Sequence, residues 1–247
     1  MEYDFTIATN AANDVAVGTI GSIMNLNGVP YKFGWDILGC GSASRARNIM
    51  AYRFLKANQA PYLIYIDRDI LFTPQDIAKL LKDLDDGYEL VAGCYAIKGA
   101  LTLSNSGNGK DPLVLDGTIQ EVKYLATGFL GLPRSLLEKM IEGLKLPLMH
   151  KDSDMETYPF FEEHWIEDPD HGDIWLSEDY NFCYKAKQVG VKAYLDTGIK
   201  LGHLGSALWG VDGTAEAQKR NILSEKAQKA ISKILEKEAS AIVPEKQ

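Results

Sequence analysis

The segment Tyr62-Leu63-Ile64-Tyr65-Ile66 is five residues of unbroken apolar or aromatic character, and it ends abruptly at Asp67-Arg68-Asp69. So short and uniform a run fits a strand covered on both faces, as in a sheet sandwiched between helices. The next residues tighten the constraint. Thr73 can cap a helix, Pro74 stands at its first position and Asp76 lies in its first turn. Ile77, Leu80, Leu81 and Leu84 then recur at helical spacing, and Gly87 stops the helix before a second strand-like run, Glu89–Ile97. Strand, helix, strand in this order predicts a right-handed crossover and a mostly parallel α/β sheet.

The flanking sequence extends the pattern. Phe5–Thr9 reads as a first strand ending at Asn10, and Tyr31–Leu38 as a second. Ser42–Ala57 reads as a helix capped by Ser42 or Ser44, with Ile49, Tyr52, Leu55 and Lys56 at helical spacing. Residues 99–120, rich in Gly, Asn, Ser and Asp, predict a loop or hairpin. Glu121–Leu132 has strand character, and Pro133 starts a helix through Ile141. Ser177–Gln188 is a further helix, with Ser177 as its cap and Gly190 as its terminator, and Val191–Leu195 is a last strand. Thr214–Ala239 predicts an amphipathic helix that could pack on the domain, lie on a membrane surface or join two copies.

Charge narrows the partners. A formal net charge of −8 over 247 residues argues against tight nucleic-acid binding. Three distant cysteines without a CxxC exclude a disulfide framework or zinc knuckle and point to a reducing compartment. Residues 1–20 lack the pattern of a signal peptide and no run is long enough to span a bilayer, so a cytoplasmic protein is expected. Between Asp152 and Asp179 there are 11 carboxylates and no Lys or Arg, interleaved with Tyr158, Phe160, Phe161, Trp165 and Trp175. Such a stretch reads as a folded loop at a site mouth, its aromatics either stacking sugar rings or forming a small core of their own.

Several residues could carry chemistry. In an extended segment, Asp67 and Asp69 would point the same way at the carboxyl edge of the sheet, where ligands of α/β sheets gather. Hard oxygen donors of this kind suit Mg2+ or Mn2+ bridging to phosphate, although solvated loop carboxylates would carry the same letters. Glu178 and Asp179 open a helix, where one could serve the dipole and the other face a cleft as a general base. His203, in Gly202-His203-Leu204-Gly205, follows the last strand. The spacing of His150, His164 and His171 matches no zinc signature. Arg45, Arg47 and Lys98 offer cations near the same edge, with one of the two arginines equally explicable as a solvated helix face.

Taken in order, SRARNIMAYRFL (44–55), PYLIYIDRDI (61–70), ELVAGCYAIKG (89–99), YLATGFLGLPRSLLEKM (124–140), SEDYNFCYKAKQVGVKAYLD (177–196) and LGHLG (201–205) resemble a nucleotide-sugar-dependent glycosyltransferase of the GT-A fold. The similarity is to family-2-like and viral or phage members whose helix reads ARN before a DxD strand. It implies a single GT-A domain over 1–213, with a nucleotide-sugar half (1–100), an acceptor half (101–213) carrying an acidic loop insertion, and a C-terminal helix and tail (214–247). It further implies Mn2+ or Mg2+ on Asp67, Asp69 and His203, and a nucleoside-diphosphate sugar donor carrying UDP or GDP. Thr9 and Asn10 would contact the base, Arg45 and Lys98 the nucleotide or diphosphate, and Gly128 the acceptor side. Asp179, beside Glu178, would be the base of an inverting transfer to a glycan or glycoprotein. A nucleotidyltransferase would use similar residues, but ATNAAND (8–14) after the first strand lacks its glycine-rich phosphate loop. A sugar-binding protein that has lost turnover is the non-enzymatic alternative.

Overall fold

The structure, a computed structural model, describes residues 3–57, 60–98, 102–104, 113–168, 172–205 and 208–210. The expected helix over 214–239, the tail to 247 and His171 lie outside the described residues. A seven-stranded sheet runs in the order β2-β1-β3-β7-β5-β10-β6. Its strands are β1 (Phe5–Asn10), β2 (Phe33–Leu38), β3 (Tyr62–Ile66), β5 (Val91–Cys94), β6 (Ile119–Val122), β7 (Phe129–Pro133) and β10 (Ala193–Lys200). Five of them point one way; β7 and β6 run against the rest. The sheet is therefore mostly parallel, as the crossover pattern predicts.

Strand β3 justifies its composition. Leu63 and Tyr65 enter one core with residues of α2 (Ala43–Ala57), α4 (Arg134–Leu144) and α5 (Glu178–Gln188). Ile64 and Ile66 enter the other, with α1 (Val17–Met24) and α3 (Pro74–Asp85). Alternation along the strand thus feeds both faces, which leaves no room for a polar residue. Helix α3 begins after Thr73 as expected, and a capping box fastens it there: Asp76 Oδ2 accepts from the Thr73 backbone N–H and hydroxyl, both at 2.7 Å.

The structure corrects several sequence expectations. Helix α1 forms against local preference, because VGTIGSIM carries two glycines and β-branched residues that disfavour helix; burial of Thr19, Ser22 and Ile23 overrides it. On α2, Ser42 supplies the cap, its Oγ accepting from Arg45 N at 3.3 Å. The buried residues of α2 include Ala46, Ile49, Met50, Ala51 and Phe54, so of the expected face Ile49 is inside, Tyr52 and Leu55 are half-buried and Lys56 is exposed. The strand expected over 121–132 is two strands: β6 at the sheet margin and β7 between β3 and β5, joined by a bend through Ala126-Thr127-Gly128. Pro133 closes β7 instead of opening the helix, and α4 runs on to Leu144, where Lys145 takes the left-handed conformation at φ 52°. The acidic stretch is no simple loop, since β8 (His164–Asp168) and β9 (Gly172–Leu176) pair there as an antiparallel hairpin.

A small second sheet, β4 (Ile70–Leu71), β11 (Gly202–Leu204) and β12 (Leu208–Gly210), ties the chain after β10 back to the end of β3. His203 pairs with Ile70 in this ladder, and Leu204 N donates to Asp69 O at 2.8 Å.

At the far side of the core, Asp196 is fully buried, accepts from Lys79 Nζ at 2.6 Å and faces the buried Asp83. One oxygen of each acid has no hydrogen-bond partner unless a proton lies between them. Burial, then the facing Asp196, pushes the Asp83 carboxyl well above the usual carboxylate range. A raised folded-state pKa means that stability from this group is full below its ordinary 3.8 and is lost as the pH climbs to about 7. Asp83→Asn should therefore gain on the order of 1 kcal/mol at pH 8 and flatten this part of the pH dependence. Urea denaturation at pH 5 and pH 8 checks it; an equal effect at both would refute the shared proton.

Candidate active site

The strands β1, β3, β5 and β10 all direct their carboxyl ends to one edge, and every candidate side chain lies there or on the helix starts above it. At its centre is Arg47, 5% exposed. Its Nη1 donates to Asp179 Oδ1 at 2.7 Å and to Glu178 Oε1 at 3.1 Å, and its Nη2 to Asp67 Oδ1 at 3.1 Å. The planar fork sets Nη1 against Glu178 and Asp179 and Nη2 against Asp67 in one rigid group. The guanidinium lies 6.0 Å from the Phe161 ring, and its helix is fastened by Asn48, which exchanges two hydrogen bonds with the Phe161 backbone. Desolvation disfavours the buried cation, but the three carboxylates outweigh it and hold Arg47 protonated.

Asp179 is fixed from the other side as well. Thr127 donates its hydroxyl to Oδ1 at 2.7 Å and its backbone N–H to Oδ2 at 3.2 Å. Burial pushes the Asp179 carboxyl up, and Arg47 pulls it back. Ser177 caps α5 by accepting from Tyr180 N, so both Glu178 and Asp179 remain free to meet Arg47. The first-turn acids thus serve neither solvent nor the cap.

Asp67 and Asp69 do not share one direction. The chain turns between them, with Ile70 N donating to Asp67 O at 3.2 Å, so the extended geometry assumed from sequence does not hold. Asp67 goes to Arg47. Asp69 takes the Lys98 ammonium on Oδ2 and stands 3.4 Å from His203 Nε2 on Oδ1. Burial opposes ionisation of Asp69, but the His203 and Lys98 contacts hold its carboxyl at about 2. Arg68 turns away to pair with the exposed Asp14.

His203 is oriented closely. Its Nδ1 lies 2.8 Å from the Ala96 carbonyl, which can only accept, so Nδ1 carries the proton. Its ring packs edge-on to Tyr95 with centroids 5.3 Å apart, and the Tyr95 hydroxyl accepts from Gly128 N at 2.8 Å. A Cβ on Gly128 would come within 2.5 Å of that hydroxyl, which explains the glycine at this bend. With Nδ1–H committed, Nε2 of a neutral ring offers a lone pair toward a carboxylate. Two acceptors meeting in this way require a positive charge between them, either a proton or a metal ion.

Overall, Asp67, Asp69, Glu178 and Asp179 face two fixed cations, Arg47 and Lys98, so the cluster carries excess negative charge. Among the described residues, no three His, Cys, Asp or Glu side chains converge on one point as a complete metal cage. Asp69 and His203 are the pair here that could hold a divalent ion, with phosphate and water left to fill its other positions.

Of the remaining predicted residues, Thr9 and Asn10 lie at the same sheet edge and Arg45 lies apart. Thr9 is buried at the end of β1, its hydroxyl accepting from Trp35 Nε1 at 3.0 Å, and Asn10 accepts from Ala12 N at 3.2 Å. Arg45 is exposed and joins none of the carboxylates; with His150 and Asn48 it lines a separate hollow of about 260 Å³. Arg47 is the residue that sequence reasoning undervalued. Its signal was spacing: Arg47 lies on the same stripe as Met50, Ala51 and Phe54, and a charge on a buried stripe needs partners.

No family model matches the chain, and no curated protein is similar to it in sequence. Solved structures do resemble it. A197 from STIV is similar with a TM-score of 0.54 and 17% identity, over 83% of this chain and 86% of that one. GalNAc-T7, solved with UDP, GalNAc and Mn2+, is similar with a TM-score of 0.53 and 12% identity, over 83% of this chain but only 43% of that one. No helix among the described residues is long and apolar enough to cross a membrane. The central sheet, the helices on both its faces and these neighbours together show that the chain has the GT-A fold.

Proposed function

We propose that the protein is a divalent-metal-dependent glycosyltransferase that moves a sugar from a nucleoside-diphosphate sugar, carrying UDP or GDP, to a hydroxyl of a glycan or glycoconjugate. The observation that carries this reading is the convergence of Asp69 Oδ1 and His203 Nε2, 3.4 Å apart, on a position that calls for positive charge beside the Arg47 cluster. Fold similarity to GalNAc-T7, whose structure holds UDP and Mn2+, supports it.

Asp69 and His203 would hold Mn2+ or Mg2+, with Asp67 at its flank toward the ribose. When bound, the ion supplies charge to offset that of the departing diphosphate. The protein's own groups do the rest. Lys98 would offer a cation to the diphosphate, and Thr9 and Asn10 would border the base, whereas Arg45, in its separate hollow, would stand apart from the phosphates. Asp179 would accept the proton of the acceptor hydroxyl as that oxygen attacks the anomeric carbon, which gives inversion. Arg47 and Thr127 orient that carboxylate, and Glu178 shares the Arg47 charge. Residues 1–100 thereby form the donor half and 101–213 the acceptor half.

Calorimetric titration of UDP- and GDP-sugars, with Mn2+ and with chelator, tests the reading. Native protein should bind one donor only with metal, and Asp69→Ala should weaken that binding by at least about 100-fold while keeping its denaturation midpoint. Donor binding indifferent to both metal and Asp69 would refute it.

A further inference from the structure

We propose that the outward face of the β8–β9 hairpin is a subsite for a neutral pyranose ring of the acceptor glycan, built from Trp165, Trp175, Glu167 and Asp173; this deepens the glycosyltransferase reading and rests on it for the word acceptor. Trp165 and Trp175 are directly opposed across the hairpin and remain 57% and 66% exposed. Two solvent-facing indoles in register amount to an apolar patch that a soluble surface would ordinarily cover. Both belonged to the aromatic series in the acidic stretch. The structure divides that series, sending Phe160 and Phe161 into the core and leaving these two outside.

The platform is held firmly from beneath. Ile166 and Leu176, pointing the other way, are buried, and the buried Asp168 pairs with Lys123. Trp175 Nε1 donates to Glu163 Oε2 at 3.2 Å, which fixes the plane of its ring. Trp165, Asp173, Ile174 and Trp175 line a hollow of about 360 Å³.

The chemistry of the occupant follows from the neighbouring pair. Glu167 and Asp173 are also directly opposed, on the same face as the tryptophans. Like charges in that relation destabilise a hairpin unless donors lie between them. Sugar hydroxyls are such donors, while the C–H face of a pyranose matches a flat indole. The segment 152–179 has no Lys or Arg, so phosphorylated or uronate glycans would be repelled. An ammonium group would satisfy the carboxylates, but it is best held by rings arranged around it, whereas these rings share one face of one hairpin. Position also fits. Trp175 precedes Asp179 by four residues, so their Cα atoms lie at most about 14 Å apart, inside the reach of a short oligosaccharide.

Tryptophan fluorescence titrated with neutral hexasaccharides of glucose, mannose and N-acetylglucosamine, without donor or metal, tests the proposal. At least one should bind saturably, and Trp165→Ala and Trp175→Ala should each weaken it about tenfold while leaving the denaturation midpoint unchanged. A chitosan and a polygalacturonate oligomer serve as cationic and anionic comparisons. Binding of the chitosan alone, binding of no neutral hexasaccharide, or equal binding by native and variant proteins would overturn it. Turnover separates the two claims. Glycan binding at the tryptophans in a protein that transfers no sugar sinks the enzymatic reading alone. Acceptor KM left unchanged in both variants of an active enzyme sinks the subsite alone.

Discussion

Arg47→Met is expected to lower stability by about 3–5 kcal/mol. The guanidinium is 6% exposed and is the shared partner of Asp67, Glu178 and Asp179, whose side chains are 35%, 23% and 18% exposed. Removing it leaves three carboxylates crowded in a poorly solvated space, each raising the others. For a chain of this length the loss corresponds to a fall in Tm of roughly 10 °C. The sign of its pH dependence is diagnostic. Without Arg47 the carboxylates ionise at higher pH in the folded state, so the penalty should be largest at pH 8 and shrink as acid protonates them. Arg47→Lys should recover only part of the loss, because a single ammonium nitrogen cannot stand at both the Nη1 and Nη2 positions from which the three carboxylates are met. Thermal melts at pH 5 and pH 8 measure this, and a Tm for Arg47→Met within 2–3 °C of native at pH 8 would show that the cluster is not held as the distances imply.

Asp179→Asn should leave the fold and donor binding nearly intact and cut sugar transfer by about 100- to 10,000-fold, the range of a lost general base. The amide is isosteric, and its oxygen can still accept from the Thr127 hydroxyl and Arg47, while only the weaker 3.2 Å bond from the Thr127 backbone N–H is given up. What it cannot do is take a proton. Burial raises the native Asp179 pKa above 3.8, so the native rate should fall on the acid side through that raised value, as the carboxylate is lost. The variant's residual rate should lack that limb. Single-turnover rates from pH 4 to 8, with donor affinity measured in parallel, distinguish the outcomes. A variant with native turnover would remove Asp179 from the chemistry, and one with intact chemistry but weak donor binding would make it a binding residue.

Both predictions concern residues whose roles were unequally visible in the sequence. Asp67, Asp69, Glu178, Asp179 and His203 stood out because each follows a clean structural boundary, the end of an apolar strand, the cap of a helix or a glycine-flanked turn. Arg47 did not, since its neighbour Arg45 carries the same charge and only rotation about the α2 axis decides which of the two is buried. The Trp165 and Trp175 pair was equally ambiguous. Their positions ten residues apart say nothing until β8 and β9 pair in a register that brings them face to face.

The amino-acid sequence alone determined the alternation of strands and helices, the two-faced burial of β3 and the edge at which polar groups collect. These follow from local periodicity, capping and the twist of strands, which act over a few residues. The tertiary structure alone decided that β7 inserts antiparallel between β3 and β5, that Asp67 and Asp69 part toward different cations, and that His203 closes on Asp69 through the β4–β11 ladder. Those outcomes depend on contacts between segments more than 130 residues apart, such as Arg47 with Glu178 and Asp179, whose energies no local pattern records.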